Sequence, residues 1–281
     1  MTPNIDKKVV AGFGDEWSRF DQSALSDDEL QRMFDNYFSI FPWKNLPADA
    51  VGFDLGCGSG RWAKLVAPRV GKLFLFDPSR SALDVAERNL KGIHNCEFHI
   101  ADTGRIPLEK GSCDFGYSLG VLHHVPDTEA GLMACVEKLK PGAPFLVYLY
   151  YSFENRPFWF RAIWKISDVI RRFICRLPSA LRYSISQVFA GLAYFPLARI
   201  ALIFEKLGFS VDHFPLSQYR NNSFYVMRND ALDRFGTRLE KRFTKQEIGE
   251  MMERCGLENI TFSTTSFWTA IGFRKGSDVT G

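Results

Sequence analysis

Apolar runs of strand length alternate along this chain with segments of helical periodicity. Val51–Leu55, Lys72–Asp77, Cys96–Ala101, Cys113–Leu119 and Ala143–Tyr150 are apolar almost throughout, the pattern of strands covered on both faces. Helical patterns lie between them: one from about Gly60 that Pro68 closes, Arg80–Leu90 behind the N-cap Ser79, and Thr128–Leu139. Such alternation predicts a parallel sheet between layers of helix. It stops after Tyr150 and resumes at Thr244, where Thr244-x-x-Glu247 is a capping box for a helix over Lys245–Cys255 that Gly256 ends. Two last β runs, Leu257–Thr265 and Phe267–Arg274, have almost no loop between them and should pair antiparallel at the sheet edge.

The pattern therefore divides the chain. Residues 51–150 and 244–281 form the sheet core, 151–243 an insertion, and 1–50 an added arm with an amphipathic helix near Asp27–Phe41. The insertion, at about ninety residues, is too long for an ordinary connection and points to a lid, an acceptor site or a contact surface.

Composition narrows the setting. The 281 residues carry a formal net charge of only +3, so no global field calls for a nucleic-acid partner. Six scattered cysteines without a Cys-x-x-Cys pair indicate free thiols in a reducing compartment. The five histidines are not spaced with carboxylates as a ligand set, and no metal is expected. The polar N-terminus does not read as a signal peptide, and a cytoplasmic location is expected.

The chemistry begins at Asp54-Leu55-Gly56-Cys57-Gly58-Ser59-Gly60-Arg61. A strand ending in a glycine-rich turn lets a ligand approach bare backbone beyond the strand's carboxyl end. A dinucleotide fingerprint begun at Gly56 would need glycine where Arg61 stands, and no P-loop Gly-Lys-Ser/Thr is present. Asp77 ends the next strand, where it can accept both hydroxyls of a ribose. Asp102 and Thr103 end the third and suit an adenine's exocyclic amine. Together they describe a nucleoside lying across the sheet edge.

With Phe76-Asp77, Ala101-Asp102, Leu119-Gly120-Val121-Leu122-His123-His124-Val125 and Leu139-Lys140-Pro141-Gly142-Ala143, the chain resembles the class I S-adenosylmethionine-dependent methyltransferases over about Val51–Tyr150 and Thr244–Arg274. The resemblance implies a Rossmann-like, seven-stranded, mostly parallel sheet with an antiparallel C-terminal hairpin, and S-adenosyl-L-methionine converted to S-adenosyl-L-homocysteine. It implies that Gly56, Cys57, Gly58 and the Gly60 turn pack against the methionine portion. Asp54 would position its ammonium, Asp77 the ribose, Asp102 and Thr103 the adenine, and Leu119 the amino-acid moiety. A small-molecule acceptor, with a sugar or a lipid-linked compound as the candidates, would receive the methyl group. A nicotinamide-dependent oxidoreductase and a binding subunit without turnover are the alternatives.

For a general base the candidates are His124 and His123, of which one faces the cleft if the segment is extended. Trp17 is a candidate cover, and Tyr219, Arg220 and Asn221 are candidate acceptor contacts. The insertion is basic and aromatic over 156–206, with an amphipathic helix over Arg161–Arg176 that presents Ile163, Ile166, Ile170 and Phe173 on one side. Three readings stay open for it: a packed lid, peripheral contact with the inner membrane surface, and self-association. A transmembrane span is not expected, because Pro196 and Arg199 interrupt the apolar run Ile185–Phe204.

Overall fold

The computed structural model describes residues 4–154, 156–265 and 268–276, and they divide into two compact units. The first holds residues 1–22, 30–152 and 239–281; the second holds 23–29 and 153–238. The second unit thus falls largely within the expected insertion. The expected separate arm does not stand alone, since most of residues 1–50 belong to the first unit.

Seven strands form one sheet: β1 (Val51–Leu55), β2 (Lys72–Asp77), β3 (Cys96–Ile100), β4 (Phe115–Leu119), β5 (Pro144–Tyr148), β6 (Leu257–Phe262) and β7 (Thr269–Arg274). Their spatial order is β3-β2-β1-β4-β5-β7-β6. The first five are parallel, whereas β7 runs antiparallel to both β5 and β6. This is the mixed sheet expected from the sequence, with its hairpin at one edge. Phe267, the expected start of the last strand, lies outside the described residues. Strand order reverses between β1 and β4, which opens a crevice beyond their carboxyl ends.

Two glycines let the central strands lock together. Gly52 pairs with Phe115 and Phe53 with Gly116 across the β1–β4 register. A Cβ on Gly52 would lie 2.1 Å from the Phe115 ring, and one on Gly116 would lie 2.4 Å from the Phe53 ring. Each phenylalanine therefore fills the space that its neighbour's missing side chain leaves, consistent with close-packed interiors.

The helices, in chain order, are α1 (Lys7–Arg19), α2 (Asp27–Tyr37), α3 (Ala63–Val66), α4 (Arg80–Asn89), α5 (Thr128–Val136), α6 (Phe158–Ile174), α7 (Ser179–Phe189), α8 (Phe195–Lys206), α9 (Phe224–Gly236) and α10 (Lys245–Arg254). Ser79 caps α4, and Thr244 with Glu247 completes the expected capping box of α10. The helix expected from Gly60 is shorter than its pattern. Only Ala63–Val66 is α-helical, and a 3₁₀ turn over Ala67–Arg69 places Pro68 where no amide donor is needed.

In the second unit α6–α9 build their own core, in which Ala190, Ala198 and Ala231 sit beside Ile174, Met227 and Phe235. A π-helical turn over Ala190–Tyr194 joins α7 to α8, so Ser179–Lys206 is one helical run of 28 residues. Pro196 interrupts nothing: it occupies the first turn of α8 directly after the wide turn, where a missing N–H costs little. By length and composition this run could cross a membrane, and only 22% of its most apolar window is buried.

Candidate active site

Beyond the ends of β1, β2, β3 and β4 the first unit encloses a cavity of about 110 Å³. Among its lining residues are Gly56, Asp77, Asp102, Thr103, Leu119, His124 and Trp17, all singled out from the sequence. Each main strand delivers its contribution at its carboxyl end, as the switch-point rule requires.

Of the glycine turn, Gly56 lines the cavity, whereas Asp54, Cys57, Gly58 and Gly60 are not among its lining residues. Gly56, Gly58 and Gly60 have φ of +78°, +54° and +73°. Gly56 and Cys57 both donate backbone N–H groups to Phe76 O, at 2.7 and 3.0 Å, which ties the turn to β2. Asp77 bridges the same two loops: its Oδ2 accepts from Gly58 N at 3.0 Å and its Oδ1 from Ser79 N at 2.8 Å. Burial nevertheless raises Asp77 to about 6, and these two amides only partly offset it. Cys57 is buried, its thiol held well above its ordinary value by burial and then by Asp77 and Asp54, so it remains a thiol.

Asp54 lies beneath the turn, almost inaccessible, and its carboxyl is raised to about 8. Burial is the main cause, the Tyr117 hydroxyl opposes it, and Asp77 adds to it. Neither Asp54 Oδ2 nor Tyr117 Oη makes a well-formed hydrogen bond. Buried polar atoms in this condition call for a partner.

A helical arm makes the roof. The α1 helix, capped by Asp6, brings Val9, Val10, Phe13 and Trp17 over the cavity. Gly14 lets it come close to α4, since a Cβ there would lie 2.5 Å from the hydroxyls of Ser79 and Ser81. Trp17 sits directly on the glycine turn, its indole 2.8 Å from where a Gly58 Cβ would stand. The Arg61 guanidinium lies 5.6 Å from the Trp17 ring and 4.5 Å from that of Trp62, so the residue that breaks a dinucleotide fingerprint helps to hold the cover. The cover role expected of Trp17 thus has a geometry. The lining residues Val9, Val10 and Phe13 were missed from sequence. Their 3–4 spacing behind Asp6 is a legible helical signal, obscured by Gly12 and Gly14.

At the adenine end, Asp102 Oδ1 accepts from Gly104 N at 2.6 Å. Thr103 Oγ1 donates to Asn4 O at 3.2 Å, bringing the start of the arm to the third strand's end.

The two histidines differ. They lie on a 3₁₀ turn, not in an extended segment, so the expected alternation of side chains does not apply. His124 lines the cavity, its ring 5.0 Å from Phe13 and its Nδ1 2.6 Å from Leu239 O. An imidazole nitrogen facing a carbonyl must carry the proton, which assigns the Nδ1–H tautomer and leaves the basic lone pair on Nε2. His123 is fully buried, 3.8 Å from the Tyr150 ring centre, and held neutral by burial and by His124 and Arg242. It packs the wall behind His124 and does not line the cavity, a correction to its candidacy as a base.

Tyr219, Arg220 and Asn221 belong to the second unit and are not among the cavity's lining residues. Tyr219 packs 5.4 Å from Tyr194. Arg220 pairs with Glu205 at 2.7 Å and bonds Ser217 O at 3.0 Å. The packing of their own unit accounts for the first two.

The site fits S-adenosylmethionine on its own features. The buried Asp54 carboxyl leaves Oδ2 without a partner, Gly56 presents its backbone to the cavity, and acids stand at successive strand ends. Asp54, Asp77 and Asp102 with Thr103 would hold the ammonium, ribose and adenine. Fold and site together have the form of a class I S-adenosylmethionine-dependent methyltransferase domain. The chain carries this domain: residues 53–142 match the family model described as "Methyltransferase domain".

Among its relatives is a tRNA (carboxymethyluridine(34)-5-O)-methyltransferase of Macaca fascicularis, 29% identical over 147 residues, covering 46% of this chain and 21% of that protein. A ubiquinone biosynthesis O-methyltransferase of Idiomarina loihiensis is 30% identical over 115 residues, covering 37% of this chain and 42% of that protein. The chain thus spans less than half the length of these relatives. Human N-acetylserotonin methyltransferase, solved in complex with S-adenosylmethionine, has the same fold at a TM-score of 0.51 and 16% identity, covering 94% of this chain and 57% of that one. These matches leave the oxidoreductase and binding-subunit alternatives without support.

Proposed function

We propose that the protein transfers a methyl group from S-adenosylmethionine to a hydroxyl of a small-molecule acceptor, with His124 as general base. The carrying observation is His124 itself: it lines the cavity with Nδ1 committed to Leu239 O, so Nε2 is the nitrogen that can take a proton. Bound S-adenosylmethionine supplies a methyl group already activated by its sulfonium charge. The protein's part is then to hold the acceptor in line, exclude water with the α1 roof and receive the hydroxyl proton. Positioning accounts for about 7–11 kcal/mol at best in such reactions, and a base for roughly 10²–10⁴-fold. Both relatives named above are O-methyltransferases by name, which favours oxygen as the acceptor atom.

The test uses tritiated S-adenosylmethionine with hydroxyl-bearing small molecules, among them sugars, phenols and lipid-linked alcohols, and tRNA in a parallel arm. His124→Gln is expected to lower turnover about 10²–10⁴-fold, with cofactor affinity little changed and the acidic limb of the pH profile, where the base would be protonated, lost. Full turnover of the variant at every pH would remove the base. Label passing to tRNA alone would remove the small-molecule acceptor.

A further inference from the structure

Helix α6 is turned inside out. Asp168 and Arg171 are among its buried positions and pair at 2.8 Å, while Ile166 and Phe173 are 64% and 68% exposed. A helix facing water normally does the reverse, since exposing apolar surface and burying charge both cost free energy. Arg171 also bonds Thr237 O at 2.7 Å, so the polar face is the one anchored in the unit.

The outward side resolves into two strips. Trp159, Ile163, Ile166, Ile170 and Phe173, all exposed, recur at spacings of 4, 3, 4 and 3 and make one apolar strip along roughly 21 Å of helix. Beside it run Arg161, Lys165 and Arg172, continued by Arg176 just past the helix end. Arg172 pairs with Asp168 at 2.9 Å. Arg161, Lys165 and Arg176 make no ion pair among the described residues.

We propose that this face of α6 docks on an anionic lipid bilayer surface, the apolar strip among acyl chains and the basic strip at the headgroups. Charge complementarity selects this occupant. From residue 154 to 206 there are nine Lys and Arg against three Asp and Glu, and an anionic surface meets that excess while a second copy repeats it. The positions flanking the apolar strip include Ala162, Ser167, Val169 and Arg176, none of them an acid that could answer a partner helix's base. Trp159 and Phe173 stand at the two ends of the strip, and aromatic anchors with a basic flank are the composition of interfacial helices.

Apolar exposure continues in the same unit at Leu192 and Leu207. That run is tied along the surface of its unit and does not stand free to span. Arg199 gives its guanidinium to the carbonyls of Arg220 at 2.7 Å and Asn222 at 3.1 Å. Docking is independent of methyl transfer and is read without any activity.

Flotation of the full chain with phosphatidylglycerol–phosphatidylcholine vesicles, and with phosphatidylcholine alone, tests it. Binding is expected to the anionic vesicles at low salt and to fall in molar salt. Replacing Arg161, Lys165 and Arg176 together by Gln should weaken it about a hundredfold. Ile166→Glu with Phe173→Glu should abolish it, while the circular-dichroism spectrum and S-adenosylmethionine affinity stay as in the parent. Absence of binding at low salt overturns the proposal. So does a stable dimer in sedimentation that Ile166→Glu dissociates, since the strip would then be a self-association seam.

Discussion

Asp54→Asn is expected to make the cofactor-free protein more stable above neutral pH and to weaken S-adenosylmethionine binding at the same time. The wild-type carboxyl is raised from 3.8 to about 8, chiefly by burial. Below pH ~4 the group is protonated in both folded and unfolded chains and contributes nothing. Between about 4 and 8 the unfolded chain has released the proton that the folded one retains, so stability falls as pH rises. Above 8 the whole penalty is present, of the order of 5 kcal/mol at one pKa unit per 1.36 kcal/mol. Asparagine carries no charge to bury, so the stability gap between variant and parent should open over that window and level off above it. Urea unfolding at a series of pH values measures this.

Cofactor binding should move the other way. An ammonium beside Asp54 favours the carboxylate, so wild-type affinity should rise with pH up to about 8 and binding should release a proton. A hydrogen bond to a charged group contributes about 1.5–3 kcal/mol, so the variant should bind roughly 10–150-fold more weakly and release no proton. Calorimetry in buffers of different ionisation enthalpy reads both quantities. An unchanged affinity would take Asp54 out of the site and leave it a buried strain.

The second large effect is expected at Gly56. Its φ of +78° is left-handed, and an alanine Cβ would stand 2.3 Å from Val121 Cγ2. Backbone strain costs about 1–3 kcal/mol and the overpacking about as much again, so Gly56→Ala should lose roughly 3–5 kcal/mol. Val121 lies on the stretch that leads from β4 to His124, so any shift that relieves the clash also disturbs the cavity wall, and cofactor binding should fall with stability. Pairing the change with Val121→Ala separates the causes. The double variant should regain the steric part and keep the dihedral part, a coupling that denaturant midpoints resolve. Strict additivity of the two changes would mean that Val121 is not what Gly56 makes room for.

Much of the core was readable because its signals are local. The expected bounds of β1 and β2 coincide with the structure, and β5 loses only its ends, since buried parallel strands must be apolar throughout. Thr244 and Glu247 announce α10 by chemistry contained within four residues. Errors arose where a distant neighbour overrides the local pattern. The α1 helix carries Gly12 and Gly14, which weaken its propensity, and Gly14 is repaid only through the approach to Ser79 and Ser81. Pro196 looked like a break because nothing local announces the π-helical turn before it. Tyr219 and Arg220 looked like ligand contacts because polar aromatic segments often are; Tyr194 and Glu205, which engage them, are remote in sequence.

The sequence by itself determined the order of strands and helices, the glycine turn and the acids at the strand ends, and the methyl donor was expected through the family resemblance that these carry. Those depend on the residue's own backbone preferences and on periodicity, which are properties of short stretches. Only the tertiary structure decided that His124 and not His123 meets the cavity, that Asp54 is buried deeply enough to hold its proton, and that Trp17 lies on Gly58. It alone decided that α6 turns Asp168 inward and Phe173 outward. Depth of burial, and which of two faces meets protein, are set by everything that packs around a residue, and no window of sequence contains that.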